Sequence, residues 1–349
     1  MNGETPMSAE PQRKPTLDSE TIAEAAASVW QQGVLDLPQP FRLESGQVLG
    51  NAHLAWQCAG PADAPLIVAL GGISAHRRTC SAEGNGWWES QCGAGKTLDT
   101  QRFRVLGIDW LGGCDESTGP RKAGEGKESG QEFPVISTAD QARALLLLLN
   151  RLGIRRVHLL VGASYGGNVA QHLAALLGDR LRKLVLLSAA HRPAQFGLGL
   201  RHIQRAILDL GGQTPEALAL ARSLAVLCYR TTEGVEQRFA EDISRDGVVG
   251  WLEHHGETFS RRFDTAAYRC LGKSLDGHQI DPETIRAATT VFAVREDLTV
   301  PLSLLHEYVE RAGGNCQLVE ISSVHGHDAF LKEEAAVSTI LATALEHTP

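Results

Sequence analysis

The residues best suited to covalent chemistry lie in Val157-His158-Leu159-Leu160-Val161-Gly162-Ala163-Ser164-Tyr165-Gly166-Gly167-Asn168. An apolar run here passes through G-x-S-x-G into a helical pattern, the strand–turn–helix context that lifts a serine hydroxyl out of a tight elbow. An ordinary turn also tolerates a serine, but Gly162 and Gly166 supply the small flanks this elbow demands. A hydroxyl is a weak nucleophile near neutral pH, so Ser164 needs a base within reach and a third group to hold that base. Elbows of this kind carry their partners in the chain order serine, acid, histidine. Downstream, Arg295-Glu296-Asp297-Leu298 and His325-Gly326-His327-Asp328 each follow a strand pattern. Spacing alone leaves Glu296 competing with Asp297 and His325 with His327. An oxyanion also needs two N–H donors. Tyr165, next after the serine, supplies one; Gly71 or Gly72, in Ala69-Leu70-Gly71-Gly72-Ile73, supplies the other, with Gly72 preferred.

These residues need a rigid frame. Short apolar runs at Pro65–Leu70, Phe103–Asp109, Arg156–Gly162, Lys183–Ser188, Thr289–Val294 and Gln317–Ser322 read as buried parallel strands. Helical patterns at Ala139–Leu152, Gly167–Leu177 and Glu333–Glu346 alternate with them. The expected class is α/β: an α/β-hydrolase fold with a mostly parallel central sheet. Between about Arg192 and Pro282 the pattern turns helical, at Gly199–Leu210, Pro215–Tyr229, Val235–Asp242, Val249–Phe259 and Asp264–Leu271. The organisation read from this is a tail over residues 1–38, with one helix at Ser19–Gln32. A catalytic domain over 39–191 and 283–349 follows, with a helical lid over 192–282. The Gly- and Lys-rich segment Gly119–Gln131 reads as a mobile loop.

The 349 residues carry a formal charge of −8 and a pI near 5.9, which speaks against a polyphosphate partner and leaves nucleic acid out. No window reaches the roughly 20 apolar residues of a membrane span. The polar N-terminus lacks the apolar core of a secretory signal. Seven scattered cysteines without a CxxC pair indicate neither a disulfide framework nor a metal site. A small-molecule substrate and a cytoplasmic location are expected, without a metal or a bound cofactor.

Further residues resemble the MetX-type homoserine O-acyltransferases over most of the chain. Leu98-Asp99-Thr100, Leu111-Gly112-Gly113-Cys114, Ser117-Thr118-Gly119-Pro120, Ala219-Leu220-Ala221-Arg222 with Tyr229-Arg230, Arg262-Phe263-Asp264 and Gly326-His327-Asp328-Ala329-Phe330-Leu331 recur in that family in this order. The resemblance implies ping-pong transfer of an acyl group from acyl-CoA to the side-chain hydroxyl of homoserine, in methionine biosynthesis, with a homodimer as the expected assembly. It also selects Asp297 and His327 as the acid and base, makes Arg201 the ligand of the substrate carboxylate, and places Asp328 at the substrate's amino end. Leu70-Gly71-Gly72-Ile73-Ser74-Ala75-His76 departs from the common Ala-Leu-Thr-Gly, as does Ala194-Gln195-Phe196-Gly197 from the usual approach to the arginine. Gly72–Ala75 and the Arg201–Arg205 pattern are most similar to a shorter branch associated with succinyl transfer; Arg77 or Arg78 could then meet the succinyl carboxylate, the alternatives being that these loop arginines are simply solvated or steer the phosphates of coenzyme A. Serine as the acceptor, or water in an esterase or thioesterase, are the competing outcomes of the same triad. A catalytically dead binding module is the third.

Overall fold

The computed structural model describes residues 30–120, 133–241, 245–312 and 315–346. Eight strands build the main sheet: β1 (Trp30–Asp36), β2 (His53–Ala59), β3 (Leu66–Leu70), β4 (Arg104–Ile108), β5 (Val157–Ala163), β6 (Leu181–Leu187), β7 (Ala288–Val294) and β8 (Cys316–Ile321). Their spatial order is β1-β2-β4-β3-β5-β6-β7-β8. β2 runs antiparallel to both β1 and β4, and all other pairings are parallel. Every residue of β3 and β4 is buried, as a strand covered on both faces must be.

Helices α1 (Thr138–Arg151), α2 (Tyr165–Leu177), α8 (Leu302–Ala312), α9 (Ala329–Lys332) and α10 (Glu334–Glu346) accompany the sheet. α1 starts at a capping box: Ser137 Oγ accepts from the Asp140 N–H, and the Asp140 carboxylate accepts from the Ser137 N–H. Its apolar face then buries Ala142, Leu145, Leu148 and Leu149. Between β6 and β7 the chain is helical, forming α3 (Gln195–Leu210), α4 (Pro215–Tyr229), α5 (Thr232–Arg238), α6 (Arg245–Ser260) and α7 (Thr265–Asp276). Thr214 caps α4 with Pro215 at the first helical position, and Asp264 caps α7.

The six strands read from sequence are present to within two residues at either end, and the expected fold is the one found. The N-terminal reading differs. Trp30–Asp36, placed within the tail and partly within the Ser19–Gln32 helix, forms edge strand β1, paired with β2 from Trp30↔Ala59 to Asp36↔His53. Residues 19–29 of that helix, and 121–131 of the expected loop, lie outside the described residues. β1 alternates between exposed and half-buried positions, so only one face contributes apolar side chains, and seven residues with that weak alternation are easily read as part of a helix. β2 was not anticipated because polar Gln57 interrupts its apolar run. The residue is nevertheless buried, and its amide donates to the Cys80 carbonyl at 3.2 Å.

Candidate active site

β5 ends at Ala163, and Ser164 takes up φ 52°, ψ −119° before α2 begins at Tyr165. Such a conformation costs a non-glycine residue on the order of 1–3 kcal/mol and persists only where the surroundings fix it. Here the Ser164 N–H donates to the Leu187 carbonyl at 2.9 Å, and the Gly166 N–H donates to the Gly71 carbonyl at 2.8 Å. The flanking glycines are obligatory. A Cβ on Gly162 would lie 2.4 Å from the Gly166 carbonyl oxygen, and one on Gly166 would lie 2.3 Å from that of Leu70.

His327 reaches the elbow from the loop after β8, with Nε2 2.9 Å from Ser164 Oγ. Its Nδ1 lies 2.6 Å from Asp297 Oδ2. The other Asp297 oxygen accepts from the Thr299 N–H at 2.8 Å, the Thr299 hydroxyl at 2.9 Å and the Val300 N–H at 2.9 Å, so the carboxylate cannot swing away. Burial works to lower the imidazole pKa, but the charge and hydrogen bond of Asp297, with Asp328 beyond, outweigh it and raise the value above the ordinary 6.5. The neighbours that competed in sequence are engaged elsewhere. Glu296 accepts from the Ser322 hydroxyl at 2.6 Å and the Ser323 N–H at 2.9 Å. His325 Nδ1 faces Arg230 Nη1 at 3.3 Å.

Tyr165 is the first residue of α2, so its N–H has no intrahelical acceptor and is free to meet an oxyanion. Its phenol is buried between Ser274 and Gln141, 3.0 and 3.1 Å away, which anchors the elbow from below. Gly72 and Ile73 both line the cavity beside Ser164. The Gly72 carbonyl is held by the Trp110 indole N–H and the Ala75 N–H, both at 3.0 Å.

Ser164 and His327 stand where two compartments meet. The larger, about 370 Å³, is also walled by Arg222, Arg262, His76 and Asp328. The smaller, about 70 Å³, is walled by Arg201, Arg205, Arg192 and Tyr268. Arg201 and Asp328 were expected to converge on one substrate; Arg201 lines the smaller compartment and Asp328 the larger, and Ser164, Tyr229 and His327 line both. Arg201 donates through Nε to Asp276, which also pairs with Arg205 at 2.7 Å; its two terminal nitrogens have no hydrogen-bond partner among the described residues. Asp328 pairs with Arg230 at 2.9 Å. The expectation for Arg77 is not met: its guanidinium is drawn to Asp109 at 2.6 Å and to Glu116 at 3.4 Å. Neither Arg77 nor Arg78 is among the residues lining the two compartments.

Arg222 is the cation that sequence reading quoted without giving it a task. It sits over Phe259 at 4.8 Å and Tyr229 at 5.7 Å from the ring centroids, contacts that fix a guanidinium without neutralising it. The Tyr229 ring in turn stands 5.3 Å from that of His327. Arg222 and Tyr229 are seven residues apart on α4, close to one helix face, and that spacing was the available signal.

A serine elbow at the end of a central strand, with its acid and base on later strand ends, defines a nucleophilic α/β enzyme. The family described as alpha/beta hydrolase fold matches residues 65–333. Homoserine O-succinyltransferase of Xanthomonas campestris is 37% identical over 95% of this chain and 89% of its own length. Homoserine O-acetyltransferase of Thermus thermophilus is 34% identical over 73% of this chain and 71% of its own. The chain therefore belongs to the homoserine O-acyltransferase family of the α/β hydrolase fold, and it is an acyltransferase. Among solved structures, homoserine O-acetyltransferase from Staphylococcus aureus superposes with a TM-score of 0.80 at 24% identity, covering 92% of this chain and 96% of that one. Esterase E22 gives 0.81 at 20% identity, covering 91% and 100%. The fold is thus shared with enzymes that deliver their acyl group to water.

Proposed function

We propose that the protein transfers an acyl group from acyl-CoA to the side-chain hydroxyl of homoserine through an acyl-enzyme on Ser164. In the first half, His327 Nε2 takes the Ser164 proton as Oγ adds to the thioester carbonyl. The Tyr165 N–H and a second N–H from Gly72 or Ile73 stabilise the oxyanion. Collapse expels the thiolate, which leaves as the thiol with the proton from His327. In the second half the acceptor hydroxyl gives its proton to His327, attacks the acyl carbonyl and restores Ser164. Asp297 holds the imidazole in the tautomer that presents Nε2 to the hydroxyl and stabilises the imidazolium.

The observation that carries this reading over simple hydrolysis is the pairing of opposite charges on one wall. Arg222 and Asp328 line the same compartment as Ser164. A guanidinium and a carboxylate there suit the carboxylate and ammonium of an amino acid, and an ester hydrolase has no need of both. Asp328 keeps the role expected of it, and Arg222 takes the carboxylate in that compartment. Arg201 lines the smaller compartment, where its terminal nitrogens suit a carboxylate on the donor's acyl tail, as succinyl would bring. The test is thiol release from acetyl-CoA and from succinyl-CoA, each with and without homoserine or serine. Release that depends on homoserine supports the reading, and release indifferent to any acceptor makes the protein a hydrolase.

A supply of O-acylhomoserine fits methionine biosynthesis, and the seven free thiols fit a reducing cytoplasm. No described helix is long and apolar enough to cross a membrane. Phe196, Ile203 and Leu210 recur every seventh residue on α3 with 47%, 52% and 91% exposure, and Leu220 and Leu227 do so on α4. Two such stripes on adjacent helices suit burial against a second copy, the expected homodimer.

A further inference from the structure

Beyond the two compartments at Ser164, a separate cavity of about 370 Å³ opens between α5, α6 and the turn after β8. Its wall carries Arg230, Arg238, Lys332, His255, His325 and Trp251, and no carboxylate among the described residues. Arg238 and Lys332 form no ion pair with any described residue. The Arg238 guanidinium lies 5.5 Å from the Trp251 ring centroid and 5.7 Å from that of Phe239. The Arg230 Nε is buried and without a hydrogen-bond partner among the described residues. Gathering three cations around one cavity, two of them without an ion pair among the described residues, raises their mutual repulsion, a cost that a bound anion reduces. The Trp251 and His255 rings add an aromatic surface of the kind on which a base can stack.

The cavity adjoins the reaction site through two shared walls. Arg230, which lines this cavity, donates through Nη2 to Asp328 at 2.9 Å, and Asp328 lines the larger compartment. Lys332 follows Leu331, which also lines that compartment. A ligand with an anionic nucleotide at one end and a long flexible arm at the other fits this adjacency.

We propose that this cavity seats the phosphorylated adenosine end of the acyl donor, its phosphates on Arg230, Arg238 and Lys332 and its base against Trp251. The inference rests on acyl-CoA being the donor, and the test is arranged to separate the two. Adenosine 3′,5′-bisphosphate, which has neither thioester nor pantetheine, is titrated calorimetrically into the wild-type protein and into Arg238→Glu and Lys332→Glu, both surface changes. Binding to the wild type, weakened about tenfold or more in each variant as expected for a lost charge-assisted contact, supports the site. The ratio of kcat/KM for acetyl-CoA to that for S-acetyl-N-acetylcysteamine, a thioester without a nucleotide, is expected to fall by a similar factor through KM. Equal affinity in wild type and variants overturns the proposal. So does bisphosphate binding that acetyl-CoA fails to displace, because the cavity would then belong to a free nucleotide. If acyl transfer from any CoA ester is absent but the bisphosphate still binds through these residues without displacement by CoA, the donor reading and this assignment fail together. Bisphosphate displaced by CoA in a protein that only hydrolyses the thioester leaves the site standing and removes the transferase.

Discussion

The sheet and the helical insertion furnish the walls around Ser164 in different ways. Ser164, Asp297 and His327 all stand on loops at the C-terminal ends of β5, β7 and β8, neighbouring or nearly neighbouring strands in a parallel sheet. The Ser164 N–H donates to the Leu187 carbonyl, the Asp297 carboxylate accepts from the Thr299 and Val300 N–H groups, and the His327 ring is held by that carboxylate. The insertion contributes Arg201 from α3, Arg222 and Tyr229 from α4 and Tyr268 from α7. Those side chains are placed by one another, through Asp276 or through aromatic faces. A sheet end fixes atoms to the tolerance covalent chemistry needs, while packed helices present charges that can be exchanged without disturbing it. On the proposed mechanism bond making belongs to the sheet, and the choice of substrate is shared between the insertion's arginines and Asp328 at the sheet end.

The sharpest way to break that division is to remove sheet residues and look for surviving turnover. Ser164→Ala and His327→Ala are expected to cost on the order of 10⁴- to 10⁶-fold in kcat with the fold retained. His325→Ala is expected to stay close to wild type, because that ring faces Arg230 and not the hydroxyl. Steady-state kinetics with circular dichroism on each protein checks both. Near-native turnover in the serine variant would detach the chemistry from the elbow altogether.

Asp297→Asn comes next, with an expected loss of about 10⁴-fold in kcat, since the amide favours the wrong tautomer. A pH profile sharpens the point. His327 must be neutral to act as base, and its raised pKa means that the acid limb of kcat/KM lies above the ordinary imidazole value of 6.5. Asp297 supplies the charge and hydrogen bond that oppose burial, so the variant's residual activity should have its acid limb moved to lower pH. Glu296→Gln leaves the limb in place. An acid limb that stays put in Asp297→Asn would mean that another group holds the imidazole proton.

How much of this could be read from the chain alone divides along the same boundary. The elbow, the acid and the base follow from strand ends, and strand ends are marked by apolar runs that stop. Glu296 and Asp297 could not be separated by spacing because adjacent residues share a loop; the family resemblance chose Asp297, and the contacts of Glu296 with Ser322 and Ser323 and of Asp297 with His327 tell them apart in space. Arg222 was legible as a residue and not as a role: its spacing from Tyr229 puts the two near one face of α4, but which way that face points depends on how the helix packs. Arg201 and Asp328 were both read into the site, but which of the two compartments each one lines is a property of tertiary packing. Arg77 failed for the same reason: nothing near it in sequence announces that Asp109 and Glu116 will claim it.

Smaller effects probe the insertion. Arg222→Lys keeps a charge and loses the planar fork, so the KM for homoserine is expected to rise about tenfold while the rate of acyl-enzyme formation holds. Arg201→Lys, on the other compartment, should leave that KM nearly unchanged and discriminate between donors. If Arg201 meets a succinyl carboxylate, kcat/KM falls for succinyl-CoA and not for acetyl-CoA. Stopped-flow measurement of the first half-reaction with each donor separates the two arginines. An exchange of the two phenotypes would return the acceptor to the Arg201 side and reverse the orientation proposed here.

The smallest effect on chemistry is expected from the outer face of the insertion. Ile203 is 52% exposed and sits midway along the α3 stripe between Phe196 and Leu210. Its side chain points away from the sheet, and leaving such a group in water forgoes about 1.5–3 kcal/mol that burial against a partner would return. Ile203→Asp puts a charge where two copies would meet, and an unpaired charge in an apolar contact costs more than the contact gains. The variant is therefore expected to sediment as a monomer where the wild-type protein sediments as a dimer. The insertion's two faces make this informative: Gln204, the next residue, is buried and donates to the Ala221 carbonyl at 3.3 Å, locking α3 onto α4 beneath the stripe. With that lock intact, the monomeric variant should keep the Ser164 acylation rate within about twofold of wild type, the ordinary reach of a surface substitution. Analytical ultracentrifugation gives the first result and burst kinetics the second. A wild-type protein that is already monomeric would show that the stripe serves no second copy, while a dimer whose disruption abolishes acylation would show that the insertion positions the sheet's chemistry after all.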